Sequence, residues 1–150
     1  MKRVLSIVLA AFLSFPLAAQ EAGDDPMAAL GPFPAAEVQL EDLLWLKRPI
    51  VVFADSPADP AFERQLRLLA ADPEALVKRD VVIVTDTDPE ARSAARRKLR
   101  PRGFSLVLLD KDGDVKLRKP LPWDVREITH AIDKFPLRRQ EILEELPSGR

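Results

Sequence analysis

The chain has 150 residues, 47% hydrophobic and 31% charged, a formal net charge of −1, one histidine and no cysteine. That length supports one well-buried core rather than two, and the composition is that of a globular protein. Without cysteine there is no thiol nucleophile, thiol redox couple, thiolate metal site or iron–sulfur cluster. A multi-histidine zinc site within one chain is excluded too. His130 sits in a helical pattern between Ile128 and Ile132, where a packed or surface role is expected rather than chemistry. Charge is uneven: residues 21–90 hold 6 basic and 15 acidic side chains, residues 91–150 hold 15 basic and 9 acidic. Two faces of opposite sign, or interleaved halves that cancel, would both fit.

Lys2 and Arg3 precede an apolar run from Val4 to Leu13, and Pro16-Leu17-Ala18-Ala19 offers small residues for cleavage. This has the form of a secretory signal over residues 1–19. The run is shorter than the ~20 residues a membrane span needs, so cleavage after Ala19 is expected, with no stable membrane anchor and a periplasmic or secreted product. Residues 20–36, rich in Ala, Gly, Pro and Asp, read as a flexible leader to a domain over 37–146. Leu40, Leu43 and Leu44 favour a short helix between Val38 and Lys47. Ile50-Val51-Val52-Phe53 reads as a strand covered on both faces.

Asp59-Pro60, Asp72-Pro73 and Asp88-Pro89 each announce a helix start, with Asp as the cap and Pro at the first helical position. The first carries a buried stripe of Phe62, Leu66 and Leu69, and the third is expected to run to Arg100. Val81 to Val84 is a second strand, joined to the first by a crossover that implies parallel pairing. Leu106 to Leu109 is a third, Asp112-Gly113 a hairpin turn, and Val115 to Lys119 a half-exposed edge strand. A last helix starts near Asp124, and Leu137 to Leu146 forms a charged amphipathic tail after Pro136. The expected fold is α/β and thioredoxin-like: a central four-stranded mixed sheet of order 2-1-3-4, flanked by helices.

Thr85-Asp86-Thr87-Asp88-Pro89 resembles the strand-end Asp-x-Asn-Pro of thioredoxins, and Arg102-Gly103-Phe104-Ser105 with Lys111-Asp112-Gly113 resembles their later strand and hairpin. On that template Ala58-Asp59-Pro60-Ala61 occupies the place of the Cys-Gly-Pro-Cys redox motif, and Ser105 that of the cis-proline. The segments Lys111-Asp112-Gly113-Asp114-Val115-Lys116-Leu117-Arg118 and Ile132-Asp133-Lys134-Phe135-Pro136-Leu137-Arg138-Arg139-Gln140-Glu141, with Trp45, Arg48-Pro49 and Val52-Phe53-Ala54, are similar to the bacterial domain of unknown function 4174. The resemblance covers roughly Glu37 to Ile142 and implies a thioredoxin-like domain, with no activity attached.

In open α/β sheets ligands gather at the carboxyl ends of the strands, so Asp55, Ser56, Asp59, Glu63 and Ser105 are the first candidate binding residues. A helix N-terminus there suits an anion or a carbonyl, although Asp59 also fits a plain capping role. Arg138 and Arg139 form a second candidate pair, for carboxylates such as Asp133 or Glu141 within the domain or for a partner's carboxylate or phosphate. Arg96 to Arg102 reads as a cationic helix end, and Asp110, Asp112 and Asp114 as a turn that lacks the further ligands of a calcium loop. The expected function is a non-enzymatic binding module for a protein, peptide or envelope component, without cofactor, metal or nucleic acid. The alternative is a carboxylate-based or oxidative-stress-related enzyme working through Asp55 to Glu63.

Overall fold

The computed structural model describes residues 25–147; the signal sequence expected over 1–19 lies outside them. In chain order the elements are α1 (Pro26–Leu30), β1 (Phe33–Pro34), a 3-10 turn (Leu40–Leu43), β2 (Arg48–Phe53), α2 (Pro60–Leu69), α3 (Pro73–Val77), β3 (Val81–Asp86), α4 (Ala94–Leu99), β4 (Ser105–Leu109), β5 (Val115–Lys119), α5 (Val125–Ile132) and α6 (Pro136–Glu145). β2 is buried along its whole length. It pairs parallel with β3 and antiparallel with β4, and β4 continues antiparallel to β5.

The sheet has five strands in the order β1-β3-β2-β4-β5, which corrects the expected count of four; the expected run 2-1-3-4 is kept within it as β3-β2-β4-β5, and the added strand lies beside β3. Phe33 and Pro34 add the extra strand, parallel to β3 at Val84 and Thr85. Two residues containing a proline give no period-2 signal, which is why the strand escapes sequence reading. The segment read as a leader is, from Asp25 onward, part of the fold: α1 buries Leu30, and Gly31 lies so close to β3 that a Cβ would stand 2.8 Å from the Ile83 carbonyl oxygen. Gly31 also has φ +92°, a conformation that glycine adopts at little cost.

Alternation along β2 and β4 divides the core. Ile50, Val52, Ala54, Leu106 and Leu108 face Phe62, Leu69, Leu76, Ile128 and Ile132 on a thick layer built by α2, α3 and α5. Val51, Phe53, Val107 and Leu109 face Leu40, Ala95 and Leu99 on a thinner layer of α4 and the 3-10 turn. Each of these buried valine, leucine, isoleucine and phenylalanine side chains stabilises the fold by roughly 1.5–3 kcal/mol.

The aspartate–proline starts hold in two of three places. Asp59 accepts hydrogen bonds from the Ala61 and Phe62 amides, and Asp72 from the Ala75 amide. Asp88 instead closes a turn, accepting from the Glu90 and Ala91 amides; Arg92 then takes φ +46° and Ser93 caps α4. The helix expected over Pro89 to Arg100 is therefore the six residues of α4. The helix expected over Val38 to Lys47 shrinks to the 3-10 turn, because Leu44 leaves the helical region and Trp45 adopts φ +63°. α5 begins with a reciprocal capping box between Asp124 and Glu127. No helix among the described residues is long and apolar enough to cross a membrane.

Candidate functional site

At the carboxyl end of β2 the chain leaves the sheet as an exposed loop. Asp55, Ser56 and Ala58 are all solvent-exposed, and the Ser56 hydroxyl accepts from the Ala58 amide at 3.2 Å, forming a turn. Asp59 is half-buried and spent on capping α2, with the Ala61 amide at 2.8 Å. Glu63 is exposed on the first turn of α2 and makes no side-chain ion pair among the described residues. Ala58 and Ala61, which the sequence resemblance would set at the place of a redox pair, carry methyl groups. The loop is thus a surface that displays carboxylates singly.

Beside it, the ends of β2 and β3 are closed by an ionic cluster. The Arg96 guanidinium donates to the Asp86 carboxylate at 2.9 Å and to the carbonyls of Ala54 and Asp86 at 3.0 and 3.1 Å, and lies 5.3 Å from the Phe53 ring centroid. The Ser93 hydroxyl makes a short hydrogen bond to the other Asp86 oxygen. Burial pushes the Asp86 carboxyl up. Hydrogen bonds from Arg96, Ser93 and the Asp88 amide, together with the Arg96 charge, outweigh that and hold it below the usual carboxylate range. Arg96 is therefore part of the scaffold, not of the solvated cationic helix end that the sequence suggests.

Ser105 begins β4, buried to 5% exposure, and lines an open basin of about 470 Å³ together with Leu99, Arg100, Arg102, Phe104, Arg118 and Pro120. Its side chain makes no hydrogen bond with the described residues. Arg118 pairs with Val107 across β4 and β5, so Ser105, Val107 and Arg118 share the thinner face of the sheet. Arg100, Arg102 and Arg118 are exposed, and none forms an ion pair among the described residues. The peptide before Ser105 is trans; Gly31–Pro32 is the one cis bond among the described residues.

Arg138 and Arg139 lie at the opposite end of the sheet, so the two sets of candidate residues do not converge. Arg139 is exposed. Arg138, 8% exposed, joins an internal network whose hub is Arg48, the first residue of β2. Arg48 Nε donates to Asp110 Oδ1 at 2.8 Å, and its two terminal nitrogens grip the Glu141 carboxylate of α6 at 2.9 and 3.1 Å. Glu141 also receives Lys111 Nζ at 2.8 Å and Arg138 Nη1 at 3.2 Å. Burial pushes the Glu141 carboxyl up, but hydrogen bonds from Arg48, Lys111 and Arg138 and the Arg48 charge bring it down to about 2. Arg79 adds a two-pronged pair to Asp133 at 2.7 and 2.8 Å, which holds that carboxyl low despite burial.

Of the two roles open to Arg138, the intradomain pairing with Glu141 and Asp133 is the one observed, the latter at 3.7 Å. No motif in the sequence marks Arg48, Asp110 and Lys111 as one ionic site. An arginine directly before a four-residue apolar strand was the available signal, because its side chain must follow the strand into the core unless a carboxylate meets it. Among the described residues no cluster of three or more histidine, cysteine, aspartate or glutamate side chains is arranged to hold a metal ion.

Similarity to solved structures agrees with this architecture. An N-terminally modified Prx1a of Plasmodium yoelii aligns with a TM-score of 0.52 and 18% identity over 75% of this chain and 86% of that one. Thioredoxin peroxidase I of the same organism gives 0.52 and 17% over 75% and 84%. The reduced 2-Cys peroxiredoxin of Plasmodium vivax gives 0.55 and 14% over 70% and 85%. At these identities the likeness is one of fold, a thioredoxin-like α/β arrangement. No curated protein matches the chain. The family profile described as Domain of unknown function (DUF4174) matches residues 39–141, which include Arg48, Asp110, Ser105 and Glu141, and the chain belongs to that family.

Proposed function

We propose that this chain is an exported, non-enzymatic binding module that acts in the periplasm or outside the cell. It recognises a protein, peptide or envelope component through the surface formed by Asp55 to Phe62 and the loop leading to Ser105. The observation that carries this reading is the state of the strand ends. The buried Asp86 and half-buried Arg96 there are consumed by each other and by two backbone carbonyls, while the carboxylates facing solvent stand apart. A general acid–base pair needs two groups poised on one reacting atom, and Asp59, the carboxylate between Asp55 and Glu63, is occupied by the amides it caps.

Export is supported by the basic start and the apolar run ending at Ala19. The name of the 2-Cys peroxiredoxin neighbour points to thiol chemistry, which this chain does not share, having no cysteine. The test is to replace Asp55 with a photo-crosslinking amino acid in the native host, with the same probe at Arg139 for comparison. A discrete adduct in the extracytoplasmic fraction from position 55 and none from 139 is expected. Full-length protein retained in the cytoplasm would overturn the export reading. Substrate turnover by the purified protein that Asp55→Ala abolishes would overturn the non-enzymatic one.

A further inference from the structure

We infer that the basin at the start of β4 is a binding site for a small organic anion. The ligand's phosphate or carboxylate is held by Arg100, Arg102 and Arg118, and its apolar body lies against Phe104 and Pro120. The inference deepens the binding reading and rests on it, since the basin adjoins the same loop.

The sheet alternation makes the site unusual. On the thinner face β4 presents Ser105, Val107 and Leu109, and Val107 and Leu109 are core residues packed near Leu99 and Ala95. Continuing that core toward Ser105 would call for apolar side chains at 105 and 118. The sequence places a hydroxyl and a guanidinium there instead. α4 ends at Leu99, Arg100 takes φ +48°, and the chain turns away through Pro101 and Gly103, so no described helix packs over the last part of this face. Ser105 is 5% exposed and lines the floor of the basin.

Charge points the same way. Elsewhere the arginines that approach the sheet meet carboxylates: Arg48 with Asp110 and Glu141, Arg79 with Asp133, Arg96 with Asp86 and Arg138 with Glu141. The basin gathers three arginines and no acidic residue among its lining side chains. Like charges brought together without counter-charge repel, and an anion relieves them. The planar guanidinium suits the paired oxygens of phosphate and carboxylate. A volume of about 470 Å³ is that of a small-molecule cleft and exceeds what a bare ion needs.

The experiment is a titration of the purified mature protein with phenyl phosphate, phenylacetate and inorganic phosphate, followed by amide NMR shifts. At least one aromatic anion is expected to saturate, with shifts concentrated at Gly103 to Leu106 and Arg118 to Lys119. Affinity should fall about tenfold or more in the Arg102→Gln/Arg118→Gln double variant and stay within about twofold in Arg126→Gln, an exposed arginine on α5. Preference for phenyl phosphate or for phenylacetate assigns the headgroup. The proposal is overturned if neither aromatic anion saturates, if the double variant binds like the parent, or if inorganic phosphate binds as tightly as both. A crosslinked partner at position 55 with no anion binding would sink the basin and leave the binding reading standing.

Discussion

Where β2 begins, Arg48, Lys111 and Arg138 share the carboxylates of Asp110 and Glu141, and the whole assembly is buried or half-buried. Where β4 begins, three arginines line an open basin that contains no carboxylate. The same residue type does two different jobs, and the presence or absence of a counter-charge separates them. A buried guanidinium without a carboxylate would cost several kcal/mol, so the first end must be complete to fold. An exposed guanidinium carries no such demand, so the second end is free to wait for a ligand.

Loss of a counter-charged partner should cost most at Arg48. Arg48→Met leaves Asp110, whose Oδ2 already has no hydrogen-bond partner, as an uncompensated buried charge beside Glu141. The expected loss is about 3–5 kcal/mol in urea unfolding, and Arg48→Lys should recover little of it, because an ammonium cannot reach both carboxylates with a fork. A loss below about 1 kcal/mol would mean that the network is ornamental.

Acid titration of Glu141 ranks next. Its carboxyl titrates at 4.5 when unfolded and at about 2 in the fold. Its contribution is therefore fully present above pH 4.5 and is lost as pH falls toward about 2. The total is roughly 3 kcal/mol for a group three-quarters shielded from solvent. Glu141→Gln should be weaker at neutral pH and lack this part of the acid-induced loss. An equally steep decline between pH 4.5 and 2 in the variant would assign the acid sensitivity elsewhere.

At the other end of the strands, Arg96→Met strips Asp86 of its main partner and frees two backbone carbonyls. A loss of about 2 kcal/mol is expected by thermal unfolding. Asp59→Ala should cost about 1 kcal/mol through the helix cap alone, and adducts formed from position 55 should persist. Disappearance of those adducts in a folded Asp59→Ala protein would give Asp59 a direct binding role.

The strands were legible because each central one is an unbroken apolar run: Ile50 to Phe53, Val81 to Val84 and Leu106 to Leu109. The aspartate–proline starts are legible at residues 59 and 72, ahead of helices that bury Phe62 and Leu69 in the first case and Leu76 in the second. At residue 88 the same signal closes only a turn, and the competing signal is Ser93, a cap residue five positions later. The Arg48 network was hidden for another reason. Its partners lie 62 and 93 positions away, and ion pairing over such distances leaves no local period. The basin was half visible. Ser105 is a candidate from the sequence, and Arg100 and Arg102 stand within a basic run, but only the pairing of Val107 with Arg118 brings the third arginine to the same face.

The measurement that reaches the centre of this account is the urea midpoint of the Arg102→Gln/Arg118→Gln protein beside that of Arg48→Met. If the basin arginines serve a ligand, neutralising two of them leaves stability within about 0.5 kcal/mol of the parent or raises it slightly, while Arg48→Met falls far below. A loss of about 2 kcal/mol or more in the double variant would make both ends of the sheet structural and would contradict the distinction drawn between them.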